Sequence, residues 1–247
     1  MKPDIVLTWP TGNDFPIWRS MLRLHRDLFG EVIIVMSKSS GKHDFTSFLK
    51  TAFEPDRVTL IEHNNYIVLS DWRNAAVNAA LSRSSAEWVW FTEQDFMVAD
   101  MASWMAKIAR LAAGSDVITY KQGDRKHPAS AFVKREWIDK TKKDFGIVPG
   151  ISDHFSMFFA QLEAAGAKEV DLTADDGKDF YHMNGLTHNY SLVESGNVEN
   201  VYQQGLFQLY NTYARMQNVL QDPRFIDITF EADRLLTPIT RFFAPKK

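Results

Sequence analysis

Glu93 and Asp95 stand two residues apart at the end of the run Ala86-Glu87-Trp88-Val89-Trp90-Phe91-Thr92-Glu93-Gln94-Asp95-Phe96-Met97. In extended backbone, residues i and i+2 point the same way, so the two carboxylates can share one partner. Two hard oxygen ligands suit a divalent cation that in turn holds a substrate's phosphates. The residues before them, Val89, Trp90 and Phe91, are apolar without alternation, as a parallel strand buried on both faces requires. Parallel α/β sheets bind ligands just beyond the carboxyl ends of their strands, which is where both acids fall. As solvated turn residues the same acids would do no chemistry, so the surrounding elements must decide.

Composition narrows the choice. The 247 residues suffice for one large α/β domain, or one domain with an appendage, and 45% hydrophobic content supports a full core. Aromatic content of 13% suits either a ring-lined site or an aromatic core. A net charge of −3 supplies no general basic field, which argues against passive nucleic-acid binding and leaves only a local basic groove. With no cysteine there is no disulfide framework, thiolate nucleophile or cysteine-based zinc site. Met1-Lys2-Pro3-Asp4 lacks a signal-peptide pattern and no apolar run approaches membrane-spanning length, so a cytoplasmic chain with no membrane span is expected.

The pattern along the chain predicts alternating strands and helices. Residues 4–9 read as a first strand closed by Thr8, Trp9 and Pro10; Asp14 and Pro16 then start a helix that Gly30 ends. Residues 31–36 are a second strand with the polar loop 37–41 at its end, and the β-helix-β order predicts a right-handed parallel unit. A short helix at 45–53 and a third strand at 58–62 follow. Ser70 or Asp71 caps the next helix, whose Ala75, Ala76, Ala79 and Ala80 make a small-residue face. After the strand carrying Glu93 come a helix at 101–113, a strand at 116–120, a polar loop at 121–128 and a short strand at 131–133. Helices starting at Lys134 and at Asp153, and an edge strand at 170–172, complete the recognisable part. Beyond it lie a helix near 200–220 and a strand at 225–230.

The polar clusters Thr8 to Asn13, Ser37 to Ser40 and Glu93 to Asp95 all fall at strand ends or in nearby loops, which in a parallel sheet converge on one edge. A nucleotide could lie across the first three strands with its diphosphate at a metal after the fourth. No Gly-x-Gly-x-x-Gly follows the first strand and no Gly-Lys-Ser/Thr loop is present, which argues against dinucleotide oxidoreductases and phosphate-loop ATPases.

With these features in place, the chain resembles the nucleotide-sugar glycosyltransferases of the GT-A fold, particularly the large inverting group. Asp71-Trp72-Arg73-Asn74-Ala75-Ala76 looks like that family's Arg/Asn-rich helix start, and Trp88 to Asp95 like its strand and Asp-x-Asp motif, with Glu93 in place of the first Asp. The resemblance, which spans roughly residues 4–190, implies an α/β GT-A-like (Rossmann-like) fold: a mostly parallel central sheet flanked by helices, with residues 1–190 as the catalytic domain. Residues 191–247 match no family pattern and are expected to form a mainly helical C-terminal extension packed on the same domain. It implies Asp95 as metal ligand and Glu93 facing the ribose or a metal-bound water. Asp153, where the family usually has an acidic pair and this chain has one acid followed by His154, would be the general base; its alternative is an ordinary helix N-cap.

His182-Met183-Asn184-Gly185-Leu186-Thr187 resembles the family's His-x-x-Gly-x-Ser/Thr segment, implying His182 as a second metal ligand, which suits manganese better than calcium. His188 competes for that role and is otherwise assigned to diphosphate or acceptor. The implied donor site comprises Thr8, Trp9, Pro10, Ser37, Asp71, Arg73, Asn74, Glu93, Gln94 and His188.

The expected activity is therefore transfer of a sugar from a nucleoside diphosphate sugar, a UDP-sugar by expectation, with Mn²⁺ or Mg²⁺, to an acceptor hydroxyl with inversion. The acceptor is a glycan, a small molecule or a modified nucleic-acid base. The last would need a basic groove, for which Lys121, Arg125, Lys126, Lys134, Arg135, Lys140, Lys142 and Lys143 are the dense source. A sugar-phosphate nucleotidyltransferase lacks its Gly-rich signature here, and a non-catalytic module on the same fold is the remaining alternative.

Overall fold

The computed structural model describes residues 1–9, 26–37, 58–63, 69–93, 96–98, 100–122, 125–141, 155–172 and 179–182, and the statements below concern these. The expected helix that starts at Asp14 and is ended by Gly30 lies outside them as far as residue 25, and its last turn, Arg26–Leu28, is a 3-10 turn. The expected helices at 45–53 and 200–220, the strand at 225–230 and the extension 191–247 also lie outside them.

Seven strands form one sheet: β1 (Asp4–Trp9), β2 (Val32–Ser37), β3 (Val58–His63), β4 (Trp88–Glu93), β6 (Val117–Gln122), β7 (Arg125–Lys134) and β8 (Glu169–Leu172). Their order is β3-β2-β1-β4-β7-β6-β8. β7 is antiparallel to both neighbours and the other six strands run one way. The α/β class, with a mostly parallel sheet flanked by helices, is as expected. Two short strands, β5 (Phe96–Val98) and β9 (Phe180–His182), form a separate antiparallel ribbon.

Alternate residues of the central strands bury themselves on opposite faces. On one face Val6, Ile33, Val35, Val89, Phe91, Ala131 and Val133 form a continuous core. Against it lies α1 (Leu69–Arg83), which crosses β1, β2 and β3. Its buried Ala76, Ala79 and Ala80 permit the close approach that the small-residue pattern predicts. α3 (Arg135–Lys140) and α4 (Phe155–Ala164) join the same side, with Phe158 edge-on to Phe91 at 5.7 Å. On the other face Trp90 stacks on Phe132 at 5.0 Å, packs against Phe29 at 5.8 Å, and donates its indole N–H to Ser130 Oγ at 2.9 Å. The polar end of the buried indole is thereby satisfied.

The structure corrects two local expectations and adds one strand. α1 begins at Leu69, so Ser70 and Asp71 lie in its first turn and do not precede it. The polar stretch 121–128 is largely strand: β6 runs on to Gln122 and β7 starts at Arg125, pairing Lys121 with Lys126 and Gln122 with Arg125. Pro128, which has no N–H for a ladder, sits where the register shifts from Thr119↔Ala131 to Tyr120↔His127, so the bulge accommodates it. The segment 180–182, unassigned in the sequence, is β9.

One buried carboxylate fixes the amino ends of three strands. Asp4 is 3% exposed; its Oδ1 accepts from the Glu31 amide at 2.7 Å, and its Oδ2 from Ser84 Oγ at 2.7 Å and from the Ser85 and Ala86 amides, each at 3.1 Å. The Gly30 amide donates to the Pro3 carbonyl at 2.9 Å. A methyl on Gly30 would overlap Asp4 Oδ1, so glycine is required there by close approach. Gly30→Ala should cost about 2–3 kcal/mol, the order of a lost charged hydrogen bond plus its stranded partners, read as a lower urea midpoint. An alanine variant as stable as the parent would contradict this role of Asp4.

At the same edge Lys134 Nζ pairs with Asp116 Oδ1 at 2.8 Å, and the Lys168 amide reaches Asp116 Oδ2 at 3.0 Å. Desolvation pushes the Asp116 carboxyl up, but the Lys134 and Lys168 hydrogen bonds outweigh it and hold it below its ordinary 3.8. The hydrogen bond to Asp116 likewise raises Lys134 above 10.5. Asp116 thus contributes stability that is present above pH 3.8 and lost as pH falls through its folded value; the Lys134 contribution is lost as pH rises through its own. Asp116→Asn should lower the urea midpoint at neutral pH, and the gap to the parent should close in acid. A gap that persists unchanged in acid would contradict the pairing.

Candidate functional site

β1 lies between β2 and β4, so the chain moves outward on one side through β2 and β3 and returns to the other side at β4. That is a topological switch point, and in open α/β sheets the crevice outside the carboxyl ends of the strands flanking it is where ligands bind. The register puts specific residues there. Thr8 is the partner of Glu93, Trp9 of Met36, and Ser37 of His63. Thr8, Trp9, Ser37 and Glu93, separated by up to 85 positions, thus share one edge. Glu93 is the last residue of β4 and is half-buried beside the fully buried Thr92.

α1 starts at the same edge, since it runs back across β1 to β3 and ends at Arg83, one residue before Ser84, whose hydroxyl meets Asp4 at the opposite edge. Asp71, Arg73 and Asn74 lie within its first six residues, Asn74 half-buried. An α-helix amino end presents unpaired N–H groups and a positive dipole toward whatever sits there, which favours an anion such as a phosphate.

The ribbon brings in the last element. β9 pairs with β5 so that His182 is the partner of Phe96, Tyr181 of Met97 and Phe180 of Val98. Phe96 follows Asp95 in the sequence, so His182 stands opposite the residue one peptide bond from that acid. Rings hold this ribbon down. Phe96 and Phe180, both 0% exposed, stack at 4.9 Å, and Phe180 meets Tyr120 edge-on at 4.6 Å and Trp104 at 5.9 Å. Trp104 belongs to α2 (Met101–Ala112), which begins directly after β5 with Asp100 capping the Ser103 amide at 3.0 Å. Lys107 on the same helix pairs with Asp179 at 3.1 Å.

Of the residues expected at the site, the structure therefore gathers Thr8, Trp9, Ser37, Asp71, Arg73, Asn74 and Glu93 at the switch-point edge, with His182 on the ribbon that follows β4. Pro10, Gln94, Asp95, Asp153 and His188 lie outside the described residues. Among the described residues no group of three or more His, Asp or Glu side chains is placed to hold a metal ion. Sequence reasoning missed Asp4, Phe180 and the Lys107–Asp179 pair.

The basic stretch divides between the two edges. Lys121, Arg125 and Lys126 lie where β6 ends and β7 begins, on the candidate side. Lys134 and Arg135 lie at the opposite edge, where a cavity of about 410 Å³ is lined by Ser85, Ala86, Glu87, Lys134, Arg135 and Glu136. Several polar groups there have partners: Asp4 takes the Ser85 and Ala86 amides, Asp116 takes Lys134, and Arg135 binds Asp139 at 2.6 Å and the Leu81 carbonyl at 2.6 Å. Lys140 lies over the Trp137 ring at 3.7 Å. No described helix is long and apolar enough to cross a membrane.

The chain matches no family model, and no curated protein matches it. Among solved structures, it is similar to the mannosyltransferase PcManGT from Pyrobaculum calidifontis in complex with GDP-Man and Mn²⁺, at 16% identity, TM-score 0.49, over 98% of this chain and 83% of that one. S. aureus TarS 1–349 gives 11% identity and TM-score 0.48 over 97% and 71%. A 4-diphosphocytidyl-2C-methyl-D-erythritol synthase gives 11% and 0.47 over 71% and 90%.

Proposed function

We propose that the chain is a metal-dependent glycosyltransferase of GT-A type that uses a nucleoside diphosphate sugar, a UDP-sugar by preference, and transfers the sugar with inversion to an acceptor hydroxyl. The observation that carries the reading is the register of β1 against β4, which puts Thr8 beside Glu93 at the switch point. The amino end of α1 faces the same edge, and the His182 ribbon follows directly.

Thr8, Trp9, Pro10 and Ser37 would bind the nucleoside across the strand ends, with Asp71, Arg73, Asn74 and Gln94 completing the donor site. Arg73 and the α1 amino end supply positive potential for the phosphates. Asp95 and His182 offer a carboxylate oxygen and an imidazole nitrogen, a donor set that fits Mn²⁺ and also admits Mg²⁺. When bound, the cation neutralises the charge that builds on the departing diphosphate. Glu93 faces the ribose or a metal-bound water, and His188 the diphosphate or acceptor. Asp153 takes the proton from the acceptor oxygen as that oxygen bonds to the anomeric carbon; the bond to the diphosphate oxygen breaks and the nucleoside diphosphate leaves with the electron pair.

A modified nucleic-acid base as acceptor is the less favoured form, because Lys134, Arg135 and Lys140 are engaged by local partners, the first two at the far edge. Residues 1–190 form the catalytic unit in this reading and 191–247 pack on it.

Calorimetry with a panel of nucleoside diphosphates, with and without Mn²⁺, tests the proposal. UDP binding should need the metal, and Asp95→Ala should weaken it at least about tenfold, as loss of a ligand or its support does. Asp153→Asn should keep donor binding and lose transfer by about 10²–10⁴-fold. Unchanged UDP affinity in Asp95→Ala would refute the metal assignment, and normal transfer by Asp153→Asn would remove that residue as the base.

A further inference from the structure

β5 and β9 are only three residues long each, and a two-stranded ribbon of that size does not hold its own geometry in water. What fixes it is α2. β5 is joined to α2 through residues 99–100, with Asp100 as the helix cap. β9 has no such covalent tie; it reaches α2 through Phe180 against Trp104 and through Asp179 with Lys107. Trp104 and Lys107 are three positions apart, so they are neighbours on one side of the helix and grip adjacent residues of the strand.

The two grips differ in kind. Ring packing of Phe180 among Phe96, Tyr120 and Trp104 is non-directional and sets how deeply β9 sits. The Lys107 Nζ to Asp179 Oδ2 contact at 3.1 Å is directional, and the side chains are 28% and 29% exposed, so water screens it only in part. Asp179 stands immediately before β9, three residues before His182 at the strand's other end.

We propose that the Lys107–Asp179 ion pair is a positioning device that locks β9 to α2 and thereby fixes where His182 stands against Phe96, the first residue of β5. Lys107 and Asp179 are positioning residues that act through the strand and touch neither nucleotide nor metal. The functional half of the inference rests on His182 being a ligand; the mechanical half does not.

The test compares the parent with Lys107→Met, Asp179→Asn and the reversed pair Lys107→Asp with Asp179→Lys. Backbone amide exchange of 180–182 and Mn²⁺ affinity by calorimetry are the two readouts. Each single variant should speed exchange across 180–182 and weaken Mn²⁺ binding by about three- to fivefold, with the melting temperature nearly unchanged. The reversed pair should recover both. Exchange and Mn²⁺ affinity equal to the parent in the single variants, or unrecovered in the reversed pair, would overturn the proposal. Failure of the parent itself to bind Mn²⁺ would remove His182 as a ligand, while the exchange data would still decide whether the ion pair holds β9.

Discussion

The Asp4 carboxylate is the constraint from which the candidate site follows. Burying an anion is costly unless its oxygens are filled, and here four donors fill them. Those donors belong to the residue before β2 and to the turn that leads into β4. One side chain on β1 therefore indexes both neighbours at their amino ends. Strand pairing carries that index along the sheet, because a slip of one residue would turn each buried set to the wrong face. Thr8 beside Glu93 at the far end is the consequence. Gly30 belongs to the same device, since any side chain there would displace the carboxylate.

The two edges of the sheet are specialised accordingly. The amino-end edge is closed by charge pairs and backbone acceptors: Asp4 with its four donors, Asp116 with Lys134, Arg135 with the carbonyls that end α1 and with Asp139. Its cavity is lined by members of this set, among them the Ser85 and Ala86 amides held by Asp4, Lys134 held by Asp116, and Arg135. The carboxyl-end edge instead collects a helix amino end, strand termini and a ribbon whose stability comes from rings placed behind it. Phe96, Phe180, Tyr120 and Trp104 bury their area away from the edge and leave the chain termini of β4 and β9 to present polar residues. Rigid packing behind the edge is what a binding site on short strands needs.

The parallel half of the sheet was legible in the sequence because its strands are continuous apolar runs with polar ends: Ile5-Val6-Leu7 before Thr8, Val32-Ile33-Ile34-Val35 before Ser37, Val89-Trp90-Phe91 before Glu93. The alanine face of α1 was legible for the same reason. β7 was not, since a bulged antiparallel strand carrying Lys126, His127 and Pro128 has the composition of a loop and is a strand only through its two neighbours. β9 is three residues paired to a segment more than eighty positions away, and local pattern does not encode such a partner. Asp4 looked like an ordinary strand start; its role depends on Gly30 and Ser84, which only the fold brings to it. Glu93, Arg73 and Asn74 fall at one edge, whereas Asp95, read from its spacing to Glu93, and Asp153 and His188, read from the resemblance, lie outside the described residues.

The most direct test of the central claim is a crystal structure of the chain grown with UDP and Mn²⁺, with the manganese located by its anomalous scattering. The account predicts a manganese peak bound by Asp95 and His182, with the uridine lying across the carboxyl ends of β1 and β2. A nucleotide bound instead in the cavity of Ser85, Glu87, Lys134 and Glu136 at the opposite edge, or a manganese with neither Asp95 nor His182 among its ligands, would contradict it.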